Sequence, residues 1–436
     1  MSKNQSNGNI DDSLLDDLQW RGLIAQSTDI NELRTALKKP ISLYAGFDPT
    51  APSLHIGNLV VILVLKRFQL AGHTPIPLVG GATGLVGDPS GKNEERSLND
   101  EATVQNWVAK IRGQLTRFLD FDSKTNGAVM ANNLDWTKPV SALELLRDIG
   151  KHFSVNQMLA KDSVSSRLAG GGISYTEFSY QVLQAFDYLE LFRRNGCRLQ
   201  IGGSDQWGNI VAGLELIRKV TGETTYALTF PLLTKSDGSK FGKTAGGSIW
   251  LDPELTSAYE FFQYWLNTED ADIEKFLKVF SFKTRSEIEN LLIEFKADPG
   301  KRTAQRELAR ELTTLVHGAK NCQQAEAAAK ALFGQGELKE LDQTTLAAAL
   351  SQLPKVALKP SELIDGKLPS WVDLMVQSGV VDSKSAARRI VKEGGAYLNN
   401  QRVADEAATP QKSDLLFGRF LVLRKGKRDL AGVELI

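Results

Sequence analysis

Between residues 41 and 233 the chain returns to one pattern, a short, mainly apolar run followed by a stretch with helical periodicity. Ile41–Phe47 precedes Ser53–Ala71, Thr74–Gly80 and Ala128–Asn132 follow, and Arg198–Gly202 precedes Gly208–Val220 before a last run at Thr229–Leu233. A strand that is apolar along its whole length is covered on both faces, and the intervening helices are the crossovers that allow such strands to lie parallel. The pattern therefore predicts an α/β domain built on a parallel sheet, over roughly residues 35–250. Residues 11–39, with Leu14, Leu15, Leu18, Leu23 and Ile24 near helical spacing and Pro40 as the stop, predict an N-terminal helical extension over 1–34.

Past residue 250 the period changes. Residues 251–334 are helical with alternating charges and predict a helical domain without chemistry of its own. Pro354 and Pro360 punctuate 335–367, which reads as a linker, and 368–436 has its own apolar pattern. Lys plus Arg equals Asp plus Glu, at 52 each, so nucleic-acid binding has to come from a local patch. From Lys384 to Arg428 there are 11 basic and 4 acidic residues, a net of +7. Two cysteines and four scattered histidines (55, 73, 152, 317) have no metal-ligand spacing, so no protein-bound metal is expected. A polar N-terminus and the lack of any run near the roughly 18 apolar residues of a membrane span predict a cytoplasmic protein.

Two segments carry chemistry. Tyr44 to Asn58 (YAGFDPTAPSLHIGN) lies where the first strand meets its helix. Gly46 and Gly57 allow a ligand near the backbone, Ser53 is placed to cap the helix, and His55 falls in the first turn, where a helix N-terminus attracts phosphate. Leu232 to Thr244 (LLTKSDGSKFGKT) puts Lys235, Lys240 and Lys243 on a glycine-containing loop at a strand end, where ammonium groups can follow a polyphosphate. Gly81, Gly84 and Gly87 match neither common nucleotide-loop fingerprint. Tyr180, Gln184 and Asp187 share one helical face beside Phe178, Leu183 and Phe186, and such a polar face within apolar surroundings calls for a polar ligand.

Together His55-Ile56-Gly57-Asn58 and Lys240-Phe241-Gly242-Lys243-Thr244 resemble the two signature motifs of class I aminoacyl-tRNA synthetases, and Gly81–Lys92, Tyr180–Asp187 and Gly202–Trp207 narrow the resemblance to the bacterial type of tyrosyl-tRNA synthetase. The resemblance covers essentially the whole chain and implies a Rossmann-like catalytic domain, then a helical domain, then a small α+β S4-like RNA-binding domain. One departure is Asn58, where the motif has a second histidine; asparagine keeps a donor amide but never carries charge.

The resemblance also implies roles. Tyr44 and Asp187 meet the tyrosine hydroxyl, Tyr180, Gln184 and Asp88 its ammonium end, and Gln206 also touches the substrate. Gly46, Asp48, His55, Gly57, Gly203, Asp205 and Lys243 contact ATP, with Asp205 at the ribose. Thr50, His55, Asn58, Lys240, Lys243 and Thr244 stabilise the transferring phosphoryl region, with Lys92 and Arg96 near the pyrophosphate. Lys384, Arg388, Arg389 and Lys392 contact RNA phosphates. The expected reaction is tyrosine activation by magnesium-bound ATP, then transfer to tRNA(Tyr), by a homodimer away from membranes. A tryptophanyl enzyme and a non-catalytic RNA-binding protein on the same fold are the alternatives; the Tyr44–Asp187 pair opposes the first and the signature lysines the second.

Overall fold

The computed structural model describes residues 13–88, 99–160, 164–165, 168, 172–239, 241–244, 247–363 and 367–436. Its contacts divide the chain into two units: residues up to Asp252 with Asp270–Thr284, and Pro253–Glu269 with Arg285–Ile436.

The first unit is organised by six strands, β1 (Gln26–Ser27), β2 (Ser42–Phe47), β3 (Thr74–Val79), β4 (Ala131–Asn132), β5 (Cys197–Gly203) and β6 (Tyr226–Phe230), in the order β1-β6-β5-β2-β3-β4. All neighbours are parallel except β1 against β6. The chain runs outward from β2 through β3 to β4, then returns to the other side of β2 as β5. The order reverses between β2 and β5, and open parallel sheets bind ligands at the carboxyl ends of the strands flanking such a point. Ile56–Leu70, the motif helix, fills one crossover, and Tyr175–Asn195, the pocket helix, precedes β5. Tyr44, Ile76, Leu78, Ala185, Tyr188, Leu189 and Cys197 form the buried core beneath the site.

The N-terminal segment departs from the single helix expected. Two short helices, Leu14–Trp20 and Ile30–Ala36, flank β1, because Gly22 takes φ 72° and Gln26–Ser27 spend their backbone groups on β6. The apolar spacing is nevertheless used, since Leu14, Leu15, Leu18 and Leu23 are buried.

The second unit contains helices such as Ala258–Leu266 and Thr303–His317 and a five-stranded sheet of β9 (Lys355–Leu358), β10 (Ala396–Leu398), β11 (Gln401–Arg402), β12 (Phe420–Lys425) and β13 (Asp429–Leu435). The stretch 335–367, expected as a linker, holds the helix Gln343–Ser351 and also β9, which pairs in parallel with β13 from Lys355↔Gly432 to Leu358↔Leu435. Pro354 sits just before that strand, where its missing N–H costs no ladder bond.

Candidate active site

The first motif closes on itself at the start of the motif helix. His55 is the N-cap: its Nδ1 accepts from Gly57 N–H at 3.0 Å, while Asn58 Oδ1 accepts from His55 N–H at 3.0 Å. This reciprocal pair satisfies two orphan donors of the first turn. With Nδ1 an acceptor, the neutral ring carries its proton on Nε2, a donor for a phosphate oxygen. The imidazole folds over residue 57, where a Cβ would stand 2.7 Å from His55 Cε1; only glycine fits. Asn58 likewise closes the capping box through Oδ1 and keeps its amide hydrogens as donors. Ser53, expected as the cap, instead donates to Leu54 O at 2.7 Å and accepts from Gln114 Nε2 and Asp252 N.

The second motif is brought to the same place by backbone contacts. Phe241 and Gly242 lead into a small hairpin, β7 (Lys243–Thr244) and β8 (Gly247–Ser248). Ile249 N–H donates to Gly242 O, Ile56 N–H to Ile249 O and Leu251 N–H to Leu54 O, and Trp250 bridges to His55. Gly242, at φ 83°, lies against Ile56. Lys92, Arg96 and Lys240 lie outside the described residues, as do the side chains of Lys243 and Thr244.

A hydrogen-bonded chain runs through the pocket between the sheet and the pocket helix. Tyr180 Oη donates to Asp48 Oδ2 at 2.7 Å and Thr83 Oγ1 to Asp48 Oδ1 at 2.6 Å. Asn133 Nδ2 donates to Thr83 Oγ1 at 2.9 Å and to Asp187 Oδ2 at 3.0 Å, and Trp136 Nε1 donates to Asp187 Oδ1 at 2.8 Å. Gly80 makes room for this chain, as a Cβ there would meet Asp48 Oδ1 at 2.1 Å. Gln206 Nε2 donates to Asp88 Oδ2 at 2.8 Å. Tyr44 Oη and Gln184 Oε1 are buried and have no hydrogen-bond partner among the described residues.

Burial and clustered carboxylates set the electrostatics of the pocket. Burial pushes the Asp187 carboxyl up to about 7, against the opposing bonds from Asn133 and Trp136. Burial and then Asp187 raise Tyr44, burial and then Asp48 and Asp88 raise Tyr180, and burial and then Asp88 raise Asp205. An ammonium group among these carboxylates relieves their mutual repulsion.

The structure thus gathers Tyr44, Asp48, Tyr180, Gln184 and Asp187 in one pocket, with the paired Asp88 and Gln206, and with Gly203 ending β5 and Asp205 just beyond it. Gly46, Thr50, His55, Gly57 and Asn58 lie where β2 passes into the motif helix. Asn133, Trp136 and Thr83 were not anticipated. Asn133 directly follows β4, and its position at the carboxyl end of a parallel strand is the signal that would have nominated it.

In the second unit Lys384, Arg388 and Lys392 lie at i, i+4 and i+8 on the exposed helix Lys384–Lys392, which also carries Arg389. Lys384 pairs with Asp373 and Lys392 with Glu406. Such exposed pairs are worth little, and phosphates can replace their carboxylates. Among the described residues there is no cluster of potential metal ligands and no helix long and apolar enough to cross a membrane.

Residues 35–334 match the family model for class I tRNA synthetases (W and Y), and residues 346–431 match that for a tyrosine–tRNA ligase SYY-like C-terminal domain. A tyrosine–tRNA ligase of Streptomyces coelicolor is 57% identical over 425 residues, 97% of this chain and 99% of that protein. One from Thermobifida fusca is 55% identical over 432 residues, with 97% and 99% covered. A crystal structure of a C-terminally truncated mitochondrial tyrosyl-tRNA synthetase from Aspergillus nidulans superposes with a TM-score of 0.68 at 32% identity, over 73% of this chain and 94% of that one.

Proposed function

Since the chain belongs to the tyrosine–tRNA ligases of class I, we propose that the pocket between β2 and the pocket helix takes L-tyrosine with its hydroxyl between Tyr44 and Asp187. The observation that carries this assignment is the hydroxyl of Tyr44, a residue 1% exposed, which has no hydrogen-bond partner among the described residues and lies beside a buried carboxylate already oriented by Asn133 and Trp136. A buried unpaired hydroxyl costs ~1–3 kcal/mol, and a ligand phenol that accepts from Tyr44 and donates to Asp187 removes that cost.

At the other end the α-ammonium donates to Asp88, to the orphaned Gln184 Oε1 and to a lone pair of Tyr180 Oη, with Gln206 holding Asp88. Asp48, assigned to ATP from the sequence, also orients this end through Tyr180. ATP, carrying magnesium, lies along the carboxyl ends of β2 and β5, over Gly46 and Gly57, with Gly203 and Asp205 at the ribose. The tyrosine carboxylate attacks the α-phosphorus; the α–β bridging bond breaks and its electron pair leaves on pyrophosphate. Thr50, His55 through Nε2–H, Asn58 through its amide, and Lys240, Lys243 and Thr244 stabilise the charge that develops, with Lys92 and Arg96 toward the pyrophosphate. A terminal ribose hydroxyl of tRNA(Tyr) then attacks the tyrosyl carbonyl and AMP leaves. Lys384, Arg388, Arg389 and Lys392 hold tRNA phosphates.

The working form is a cytoplasmic homodimer. Leu143, Leu146, Val155, Leu159 and Tyr175 expose large apolar side chains within one short stretch of the first unit, Leu143 at 80% and Tyr175 at 74%, and a second copy covers such surface. Pyrophosphate exchange into ATP, run with each amino acid in turn, tests the assignment. Tyrosine alone should support exchange; exchange driven equally by tryptophan or phenylalanine removes the Tyr44–Asp187 reading.

A further inference from the structure

The second signature loop is fastened at both ends to one short helix that follows it in sequence, Ile273–Phe280. At the entrance of the loop, Ser236 N–H donates to both carboxylate oxygens of Asp272, at 3.0 and 3.1 Å, and Ser236 Oγ donates to Oδ2 at 3.1 Å. Asp272 immediately precedes that helix and is only 3% exposed, so its buried carboxylate oxygens need hydrogen-bond donors, which Ser236 supplies. Lys275 Nζ donates to Thr234 O. At the exit, the Phe241 ring stacks on Phe280 at 5.4 Å and meets the edge of Phe276 at 5.1 Å. An eight-residue helix rises about 12 Å, so Asp272 and Phe280 act as two separate pegs, one for Ser236 and one for Phe241. Directly beyond the second peg Gly242 lies on Ile56 and the chain enters β7 at Lys243.

The helix is itself held. Arg21, buried, donates through Nη1 to the carbonyls of Lys278 and Ser281, at 2.9 Å each, and through Nη2 to that of Lys283 at 2.8 Å. Arg67 Nη2 reaches Ser281 O at 2.7 Å, and its guanidinium lies 4.7 Å from the Phe282 ring centre. Asp17 balances the two guanidiniums, at 2.8 Å from Arg21 and 3.8 Å from Arg67. Cations on the last carbonyls of a helix satisfy orphan acceptors and oppose the dipole, so the pegs rest on a rigid support.

We infer that Asp272 is a positioning residue for adenylate formation: through Ser236, and together with the Phe276–Phe280 pair, it sets where Lys243 begins and hence how far that lysine reaches toward the ATP phosphates. The inference rests on the assignment of Lys243 to ATP made above.

Single-turnover adenylate formation and equilibrium binding of tyrosine, both on the full chain, test it with Asp272→Asn, Lys243→Ala and the double variant. Losing a bond to a charged acceptor should slow adenylate formation by Asp272→Asn on the order of tenfold, with tyrosine affinity unchanged. In the Lys243→Ala background the same substitution should cost less than about twofold, because residues that act through one group are not additive. Should Asp272→Asn fail to fold, Ser236→Ala, which removes only the Oγ bond, replaces it, with a smaller drop in rate expected. An unchanged rate, or a full drop that persists without Lys243, overturns the inference. An undiminished rate for Lys243→Ala alone overturns the ATP assignment and the inference with it, whereas a slow Lys243→Ala with a persistent Asp272 effect overturns only the inference.

Discussion

Replacing Tyr44 by phenylalanine should strengthen the free protein and weaken its discrimination. The Tyr44 ring packs edge-on against Tyr188 at 5.2 Å, a contact that phenylalanine keeps, while the hydroxyl it removes is buried without a partner among the described residues. Deleting an unsatisfied buried hydroxyl should recover ~1 kcal/mol or more of the ~1–3 kcal/mol that such a group costs. At roughly 2–4 °C per kcal/mol for a unit of this size, the Tm of ligand-free protein should rise by about 2 °C or more. With tyrosine bound the balance reverses: the ligand hydroxyl loses one hydrogen bond, ~1 kcal/mol, and binds about fivefold more weakly. Phenylalanine, which offered Tyr44 no acceptor and Asp187 no further donor, now fails only Asp187, so the tyrosine-to-phenylalanine ratio in pyrophosphate exchange should fall at least as far. Calorimetry on free protein and exchange assays on the same preparation read both signs. A Tm that drops by several degrees would falsify the reasoning, since it would mean that the hydroxyl has a protein partner in solution; an unchanged ratio would remove Tyr44 from the hydroxyl site.

Asn133→Ala removes the donor to Asp187 and Thr83 and the acceptor for Ala82 N–H, all buried, so tyrosine KM should rise at least tenfold, with kcat less affected. The Asp187 carboxyl, raised to about 7 from an ordinary 3.8, makes the free fold progressively less stable as pH rises through that interval, because the folded state holds the proton more tightly. Tyrosine donates to the ionised form, so its affinity should instead rise with pH, being about tenfold weaker at pH 6 than at pH 8; a flat profile, or one that persists in Asp187→Asn, contradicts this. Removing residues 343–436 should spare adenylate formation and abolish tRNA charging, because every residue assigned to tyrosine and ATP precedes Ala245. Cutting after Lys367 instead leaves β9 without β13 and exposes Val356 and Leu358, so that product should aggregate more than the shorter one, as light scattering would show.

The sequence by itself determined the sheet and the place of the two signature motifs. Buried parallel strands are short and mainly apolar, so Ser42–Phe47, Thr74–Val79 and Cys197–Gly203 fall close to where local pattern placed them. The face shared by Tyr180, Gln184 and Asp187 was legible for the same reason, since helical periodicity is a local property. Ranges were lost where partners decide them. Residues 11–39 have helical spacing, yet β6 recruits Gln26–Ser27. Residues 335–367 look like a linker because β9 is only four residues long and gains its ladder from β13, some 75 residues on.

Tertiary structure alone decided which polar groups complete the site. Asn133 and Trp136 orient Asp187 across more than 50 residues of chain, and no spacing rule links them. Asp272 and the Phe276–Phe280 pair sit in a stretch whose periodicity announced only a packed helix, and contacts assign it to the catalytic unit. A side chain's hydrogen-bond partner depends on the register of strands and the docking of helices, which arise from burial summed over the whole core. Sequence periodicity reports which face of an element is buried; it carries no information about what lies opposite.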